Sequence, residues 1–235
     1  MNILITGTSS GIGNALARAY LDRGHEVYGL SRRKLPEMDK LKGYHHLHQD
    51  LVGFSAVPVQ LRKFLKDVNK LDIVILNAGA LPTIGDMQET ELGKLKSLMD
   101  INVWANKVLL DTLFGEGKKI GQVIAISSGA AIKATRGWNG YSISKAALNM
   151  LTGLYATEQP DTHFCALAPG IIDTGMQAFI SSQPDDDRFP MLKRLKNARG
   201  TDEMPSPEEA SETLINSIEK VKTLASGAFV DVRDL

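Results

Sequence analysis

Apolar residues along this chain fall in short unbroken runs, and between the runs they recur at intervals of three and four. The strand candidates are 2–6, 26–30, 45–49, 72–76, 121–127, 163–168 and 228–231, of which 45–49, His-His-Leu-His-Gln, is polar. Unbroken apolar runs of this length, rather than an apolar–polar alternation, predict strands covered on both faces. The intervals carry helical spacing. Ala15, Leu16, Ala17, Ala19, Tyr20 and Leu21 form such a stretch, and Gly24 supplies its C-terminal stop. Strand alternating with helix predicts an α/β fold of Rossmann type: a doubly wound, mainly parallel seven-stranded sheet, helices on both faces, one domain over 1–235. One segment departs from the alternation. Residues 175–205 hold Gln183-Pro184-Asp185-Asp186-Asp187, then Phe189-Pro190, a basic helical piece from Lys193 to Arg199, and Gly200. It reads as a mobile insertion placed to serve as a lid.

The first apolar run passes directly into Thr6-Gly7-Thr8-Ser9-Ser10-Gly11-Ile12-Gly13 and then into the first helical stretch. Glycines between a strand and a helix permit a tight turn and close backbone approach, and they leave amides at the helix N-terminus facing a pyrophosphate. The second strand ends in Gly29-Leu30-Ser31-Arg32-Arg33-Lys34. No carboxylate stands there to accept from a ribose diol, whereas a guanidinium holds a phosphate through two charge-assisted hydrogen bonds. Arg32, with Arg33 or Ser31 assisting, is therefore expected to hold a 2'-phosphate, which favours NADP(H) over NAD(H).

Tyr141 and Lys145 stand four apart in Gly-Tyr-Ser-Ile-Ser-Lys, and Ser128 lies thirteen residues before Tyr141. On a helix that spacing puts the lysine on the face of the tyrosine, where its charge favours the ionised phenol. A phenol tuned downward in this way can pass a proton to a carbonyl oxygen near neutral pH. Ser128, rather than Ser127, is the expected hydroxyl, because adjacent strand residues face opposite ways.

These residues together resemble the short-chain dehydrogenase/reductase family over nearly the whole chain. Thr6-Gly7-x3-Gly11-x-Gly13 is similar to its cofactor turn, and Asn77-Ala78-Gly79 to its second glycine motif. Asn102 resembles the asparagine that supports a water leading to the lysine. Asp50-Leu51 resembles the adenine-contacting pair, and Pro169-Gly170-x3-Thr174, with Ile172, the segment holding the nicotinamide carboxamide. The resemblance implies catalytic Asn102, Ser128, Tyr141 and Lys145. It also implies a cofactor site over Gly7, Ser9, Ser10, Gly11, Ile12, Gly13, Ser31, Arg32, Arg33, Asp50, Leu51, Asn77, Ala78, Gly79, Pro169, Gly170, Ile172 and Thr174, with Tyr141 and Lys145. The stretch from Ser128 to Trp138, Glu158-Gln159, Asp173 to Gln177 and the closing Ser226 to Asp231 resemble the branch holding sepiapterin reductase and bacterial benzil reductases, and Gly175, standing where a pterin-anchoring aspartate would be, turns the expectation toward a ketone or dicarbonyl. Ser128, Trp138, Tyr141, Met176 and Phe179, with Leu81, are the expected substrate wall. The same machinery would serve a 3-oxoacyl thioester or a sugar. A dinucleotide-sensing regulator would need the glycine turns but not the acid.

Bulk properties narrow the partners. The 235 residues carry Lys plus Arg and Asp plus Glu at 27 each, which gives no pull toward nucleic acid or an anionic membrane. No apolar run approaches the ~20 residues that span a bilayer, and no charged leader precedes the first strand, so a soluble cytoplasmic protein is expected. The single Cys165 sits in an apolar run as a buried structural thiol. His45, His46 and His48 lack the converging thiolates or further histidines that zinc sites use, so no metal is expected. The family likeness implies a homodimer or homotetramer through helices around 103–117 and 140–157, with Val108, Leu109 and Leu148 meeting a partner.

Overall fold

The computed structural model describes all of residues 1–235. Seven parallel strands form one sheet in the order β3-β2-β1-β4-β5-β6-β7. In chain order, β1 (Asn2–Thr6), α1 (Gly11–Asp22), β2 (Glu26–Ser31), the short α2 (Pro36–Asp39), β3 (Tyr44–His48), α3 (Ala56–Phe64) and β4 (Lys70–Leu76) make the first half. Then come α4 (Leu92–Met99), α5 (Ala105–Gly115), β5 (Lys119–Ile126), α6 (Asn139–Glu158) and β6 (His163–Ala168). The chain closes with α7 (Gly175–Ser182), α8 (Pro190–Ala198), α9 (Pro207–Lys220) and β7 (Ala228–Asp231). All seven expected strands exist, although β3 and β5 each lie one or two residues earlier than the apolar runs suggest.

Period-two alternation sends neighbours on a strand to opposite layers. Ile3, Ile5, Ile73 and Ile75 join one cluster with Leu16, Leu214 and Ile218, while Leu4, Val74 and Leu76 join another with Leu61, Leu109 and Leu148. The two clusters hold 20 buried residues each, as a sheet covered equally on both faces requires. The strand order reverses direction between β1 and β4, and in such sheets a crevice opens there beyond the carboxyl ends of the strands. The two strand ends are sewn together. Thr6 Oγ1 accepts from the Asn77 and Ala78 amides, both at 2.9 Å, and Asn77 Nδ2 donates to the Thr6 carbonyl at 2.9 Å.

The 175–205 segment is not a bare loop. It folds as α7 and α8 around a small cluster of Ile180, Phe189, Leu192, Leu195, Ala198 and Met204. Phe189 is its keystone: a side chain on Gly137 would sit 2.8 Å from the Phe189 ring, so the glycine makes the hole that the ring fills. Arg188 donates to Asp86, Glu89 and Asp186, tying the segment to the loop before α4. A second correction concerns α5 and α6. Leu109 and Leu148 are 0% and 1% exposed and belong to the core, whereas Ile143, Met150 and Leu154 form the outward apolar face of α6, 50% to 65% exposed. No helix is long and apolar enough to cross a membrane.

Candidate active site

A cleft of about 1200 Å³ runs along the carboxyl ends of the strands. Five of its wall segments carry the expected cofactor residues: Gly7, Ser9, Ser10, Gly11 and Ile12 after β1; Ser31, Arg32 and Arg33 at the end of β2; Asp50 and Leu51 after β3; Asn77, Ala78 and Gly79 after β4; Pro169, Gly170, Ile172 and Thr174 after β6. Gly7 and Gly11 adopt φ of 77° and 56°, a region that side-chain-bearing residues avoid. Ser10 at the N-cap of α1 makes no side-chain cap bond, and the first turn holds no acid. Its amides are thus left open to a ligand, and a helix N-terminus so exposed suits an anion. The wall therefore fits the pyrophosphate of a dinucleotide.

Two expected residues play other parts. A side chain on Gly13 would lie 2.4 Å from Asn77 Nδ2 and 2.5 Å from the Gly7 carbonyl oxygen, so this glycine lets α1 pack on the strand ends and is not part of the wall. The Ser31 hydroxyl is spent within its own loop, donating to the Arg33 carbonyl at 2.7 Å and pairing with His46 Nε2 at 2.9 Å. His45 pairs with Glu26. Arg33 reaches back toward the glycine turn, with Nη2 3.4 Å from Ser10 Oγ, and Arg32 lies exposed on the wall.

Ser128, Tyr141 and Lys145 come together on the opposite half of the same cleft. Ser128 leaves β5 in extended conformation, and its Oγ accepts from the Ala130 amide at 3.2 Å. Ser127 points the other way and donates to Asn149 at 2.5 Å. Tyr141 occupies the first turn of α6 with Lys145 one turn on, the ammonium 5.8 Å from the centre of the phenol ring. Lys145 is 5% exposed, and its Nζ donates to the Ile126 carbonyl at 2.7 Å. Burial with no facing carboxylate brings its pKa down from 10.5 to about 8. Tyr141 differs from the sequence expectation. Burial holds its phenol above the ordinary value, with the Ser128 hydroxyl pulling the other way. Both groups have lost water, and desolvation is the largest cause of each shift. The Tyr141 phenol consequently keeps its proton at neutral pH.

Asn102 lies behind the wall in a π-helical turn, Asp100–Trp104, that joins α4 to α5. Such turns recur at functional sites. Its side chain is fully used: Oδ1 accepts from the Ala80 amide at 2.8 Å, and Nδ2 donates to the Ala80 carbonyl at 3.0 Å and to Ser144 Oγ at 2.9 Å. It clamps the loop after β4 against α6, beside Lys145, and has no side-chain donor left for a water. Trp138, Met176 and Leu81 line the cleft, but Phe179 does not. One residue is ~100° around a helix, so Ile180 faces the cleft while Phe179 is 39% exposed.

Sequence reasoning gave no part to Lys133 or Arg233 and no specific one to Arg194 or Asp231, all of which line the cleft. Asp231 ends β7, and the end of a parallel strand is where crevice residues sit, which was the one available signal.

A family model described as short chain dehydrogenase matches residues 1–185. The chain belongs to the short-chain dehydrogenase family. Within it, the benzil reductase, (S)-benzoin forming, of Bacillus subtilis (strain 168) is 33% identical over 98% of each chain. A benzil reductase of Bacillus cereus is 31% identical over 92% of this chain and 93% of its own. Among solved structures, the short-chain dehydrogenase/reductase YIR035C of Saccharomyces cerevisiae superposes with a TM-score of 0.85 at 26% identity, covering 98% of this chain and 95% of that one. The short-chain dehydrogenase fold thus extends through β7, past the matched region, and the protein is an oxidoreductase.

Proposed function

We propose that this protein reduces a ketone or dicarbonyl to an alcohol with NADPH, Tyr141 acting as the general acid. The observation that carries the reading is Lys145: a buried cation with no counter-ion, one helical turn from Tyr141, on a cleft whose other half is an open glycine turn. A regulator that merely senses a dinucleotide gains nothing from such a costly group, whereas catalysis does. The benzil reductase relatives support a carbonyl substrate.

NADPH bound in the cleft supplies the hydride. The open amides of α1 with Gly7 and Gly11 hold the pyrophosphate, Asp50 and Leu51 the adenine, and Thr174 with its neighbours the carboxamide. Arg32 and Arg33 meet the 2'-phosphate, since β2 ends without a carboxylate. Ser128 donates to the substrate carbonyl oxygen, and Tyr141 passes its proton to that oxygen as charge builds there. Lys145 steadies the resulting tyrosinate and binds the ribose hydroxyls with the donors not spent on Ile126. Asn102 is a positioning residue for the loop facing Lys145. The α7–α8 segment serves as the lid over the substrate end, with Trp138 and Met176 as apolar wall.

A homo-oligomer belongs to the same reading, supported by the outward face of Ile143, Met150 and Leu154 on α6 and by Trp104, 43% exposed at the head of α5. A cytoplasmic location fits its one free, buried cysteine, which makes no demand on an oxidising compartment. The test is Tyr141→Phe. Turnover of benzil, followed as NADPH consumption, should fall ~10²–10⁴-fold, the usual contribution of a positioned acid, while NADPH binding persists. Unimpaired turnover removes the assignment.

A further inference from the structure

The substrate half of the cleft is more cationic than a neutral diketone needs. Three separate segments bring a basic side chain to it: Lys133 before α6, Arg194 on α8 and Arg233 after β7. Over the whole cleft six basic side chains, Arg32, Arg33, Lys133, Lys145, Arg194 and Arg233, stand against three acids, Asp50, Asp100 and Asp231. Arg188, Lys196 and Arg199 on the insertion are each tied to a carboxylate, on Asp186, Asp185 and Asp173 respectively. Arg194 pairs with none.

Arg233 is the best placed. Its backbone amide and Nε donate to Asp231 Oδ1 at 3.0 and 2.8 Å and Nη2 donates to Oδ2 at 2.5 Å, which leaves Nη1 free. The Asp231 side chain is 10% exposed and that of Arg233 63%, so the pair shows the cleft its cationic side. Gly129, which follows Ser128, has no side chain between them: a Cβ there would lie 3.9 Å from Arg233 Nη2 and 4.0 Å from Asp231 Oδ2. The Asp231–Arg233 pair therefore lies against Gly129, the chain neighbour of Ser128, and both Ser128 and Arg233 line the cleft.

Resting on the carbonyl-reductase reading, we propose that the cleft is built for a carbonyl compound carrying a second, anionic oxygen group close to the reacting carbonyl. Arg233 anchors that group, and Lys133 and Arg194 form the cationic rim. A 2-oxo carboxylate is the simplest member of the class. The hydride adds to its keto carbon, the Tyr141 proton to the keto oxygen, and the carboxylate leaves unchanged as part of a 2-hydroxy acid.

The test compares phenylglyoxylate with its methyl ester, followed as NADPH oxidation, and reads the acid-to-ester ratio of kcat/KM, which cancels general damage to the enzyme. The ester is the more electrophilic ketone, so a preference for the acid must come from the protein. The wild type should favour the acid, and the ratio should fall as salt is raised from low to physiological strength, as partly exposed charges require. Removing both charges, as Asp231→Asn with Arg233→Gln, leaves no stranded carboxylate and should lower the ratio by ~10-fold, the share of one charge-assisted hydrogen bond. Asp231→Asn alone frees the guanidinium and should raise it. Opposite shifts from two neighbouring substitutions are not what a structural role produces, and Asp231→Asn with Arg233→Lys, in place of Arg233→Gln, should restore part of the preference. An ester preference in the wild type, or a ratio indifferent to both variants, overturns the inference while leaving the reductase intact. No NADPH oxidation with either compound or with benzil overturns the reductase reading itself.

Discussion

Replacing Lys145 with Met should abolish activity and, at neutral pH, stabilise the protein. The side chain is 5% exposed, faces no carboxylate, and has a pKa brought down from 10.5 to about 8. A depression of roughly 2.5 units, at about 1.4 kcal/mol per unit, means that holding the charged form costs the folded state ~3 kcal/mol at pH 7. Methionine matches the lysine stem in length and carries no charge. Its own penalty is the lost donor to the Ile126 carbonyl, on the order of 1–2 kcal/mol. The net gain is ~1–2 kcal/mol, or several degrees in Tm for a chain of this size.

The pH dependence fixes the sign independently. Below pH 8 the lysine is charged in both folded and unfolded chains, and the wild type bears the whole cost. Between about 8 and 10.5 the folded protein releases the proton while the unfolded chain keeps it, so wild-type stability rises through that window relative to the variant. Thermal melts of the two ligand-free proteins at pH 7 and pH 10 give the measurement. The variant should melt higher at pH 7, and its advantage should shrink or reverse at pH 10. A variant less stable at pH 7, or a difference unchanged with pH, would refute the account of Lys145 as a desolvated, unpaired cation.

Two further substitutions test other parts of the cleft. Arg32→Ala with Arg33→Ala should raise the KM for NADPH by ~10-fold or more, the loss of charge-assisted hydrogen bonds to a phosphate, while the KM for NADH moves much less; equal effects on both cofactors would count against a 2'-phosphate site. Gly13→Ala drives a methyl to 2.4 Å from Asn77 Nδ2 and 2.5 Å from the Gly7 carbonyl oxygen. It should cost ~1–3 kcal/mol, as overpacking does, visible as a lower urea midpoint at unchanged m-value.

What could be read from sequence follows the range of the interactions involved. Strand runs, the glycine turn and the helical spacing of Tyr141 and Lys145 are local patterns, and each predicted element exists within a few residues of its place. The direction in which the Tyr141 phenol shifts was not legible. Spacing told which groups are neighbours but not how much water they lose, and burial decides the sign. Phe179 was misplaced for a related reason: an apolar residue next to a catalytic segment looks like pocket wall until the helix phase is known, and that phase gives the wall to Ile180.

The insertion shows the limit most clearly. Its sequence advertises prolines and charges, yet its order comes from contacts across long separations. Phe189 enters a hole that exists because residue 137 is a glycine at φ 96°, and Arg136 and Arg188 lie over the ring at 6.0 and 4.9 Å. No window on the sequence contains both halves of that joint. The same small cluster supplies Ile180 and Leu195 to the cleft wall. The anchor of the segment and its contribution to the site are thus one packed unit. A substitution at Phe189, far from Tyr141 in sequence, or at Gly137, four residues before it, adds or removes no titratable group, yet would reshape the substrate end of the cleft by loosening what positions it.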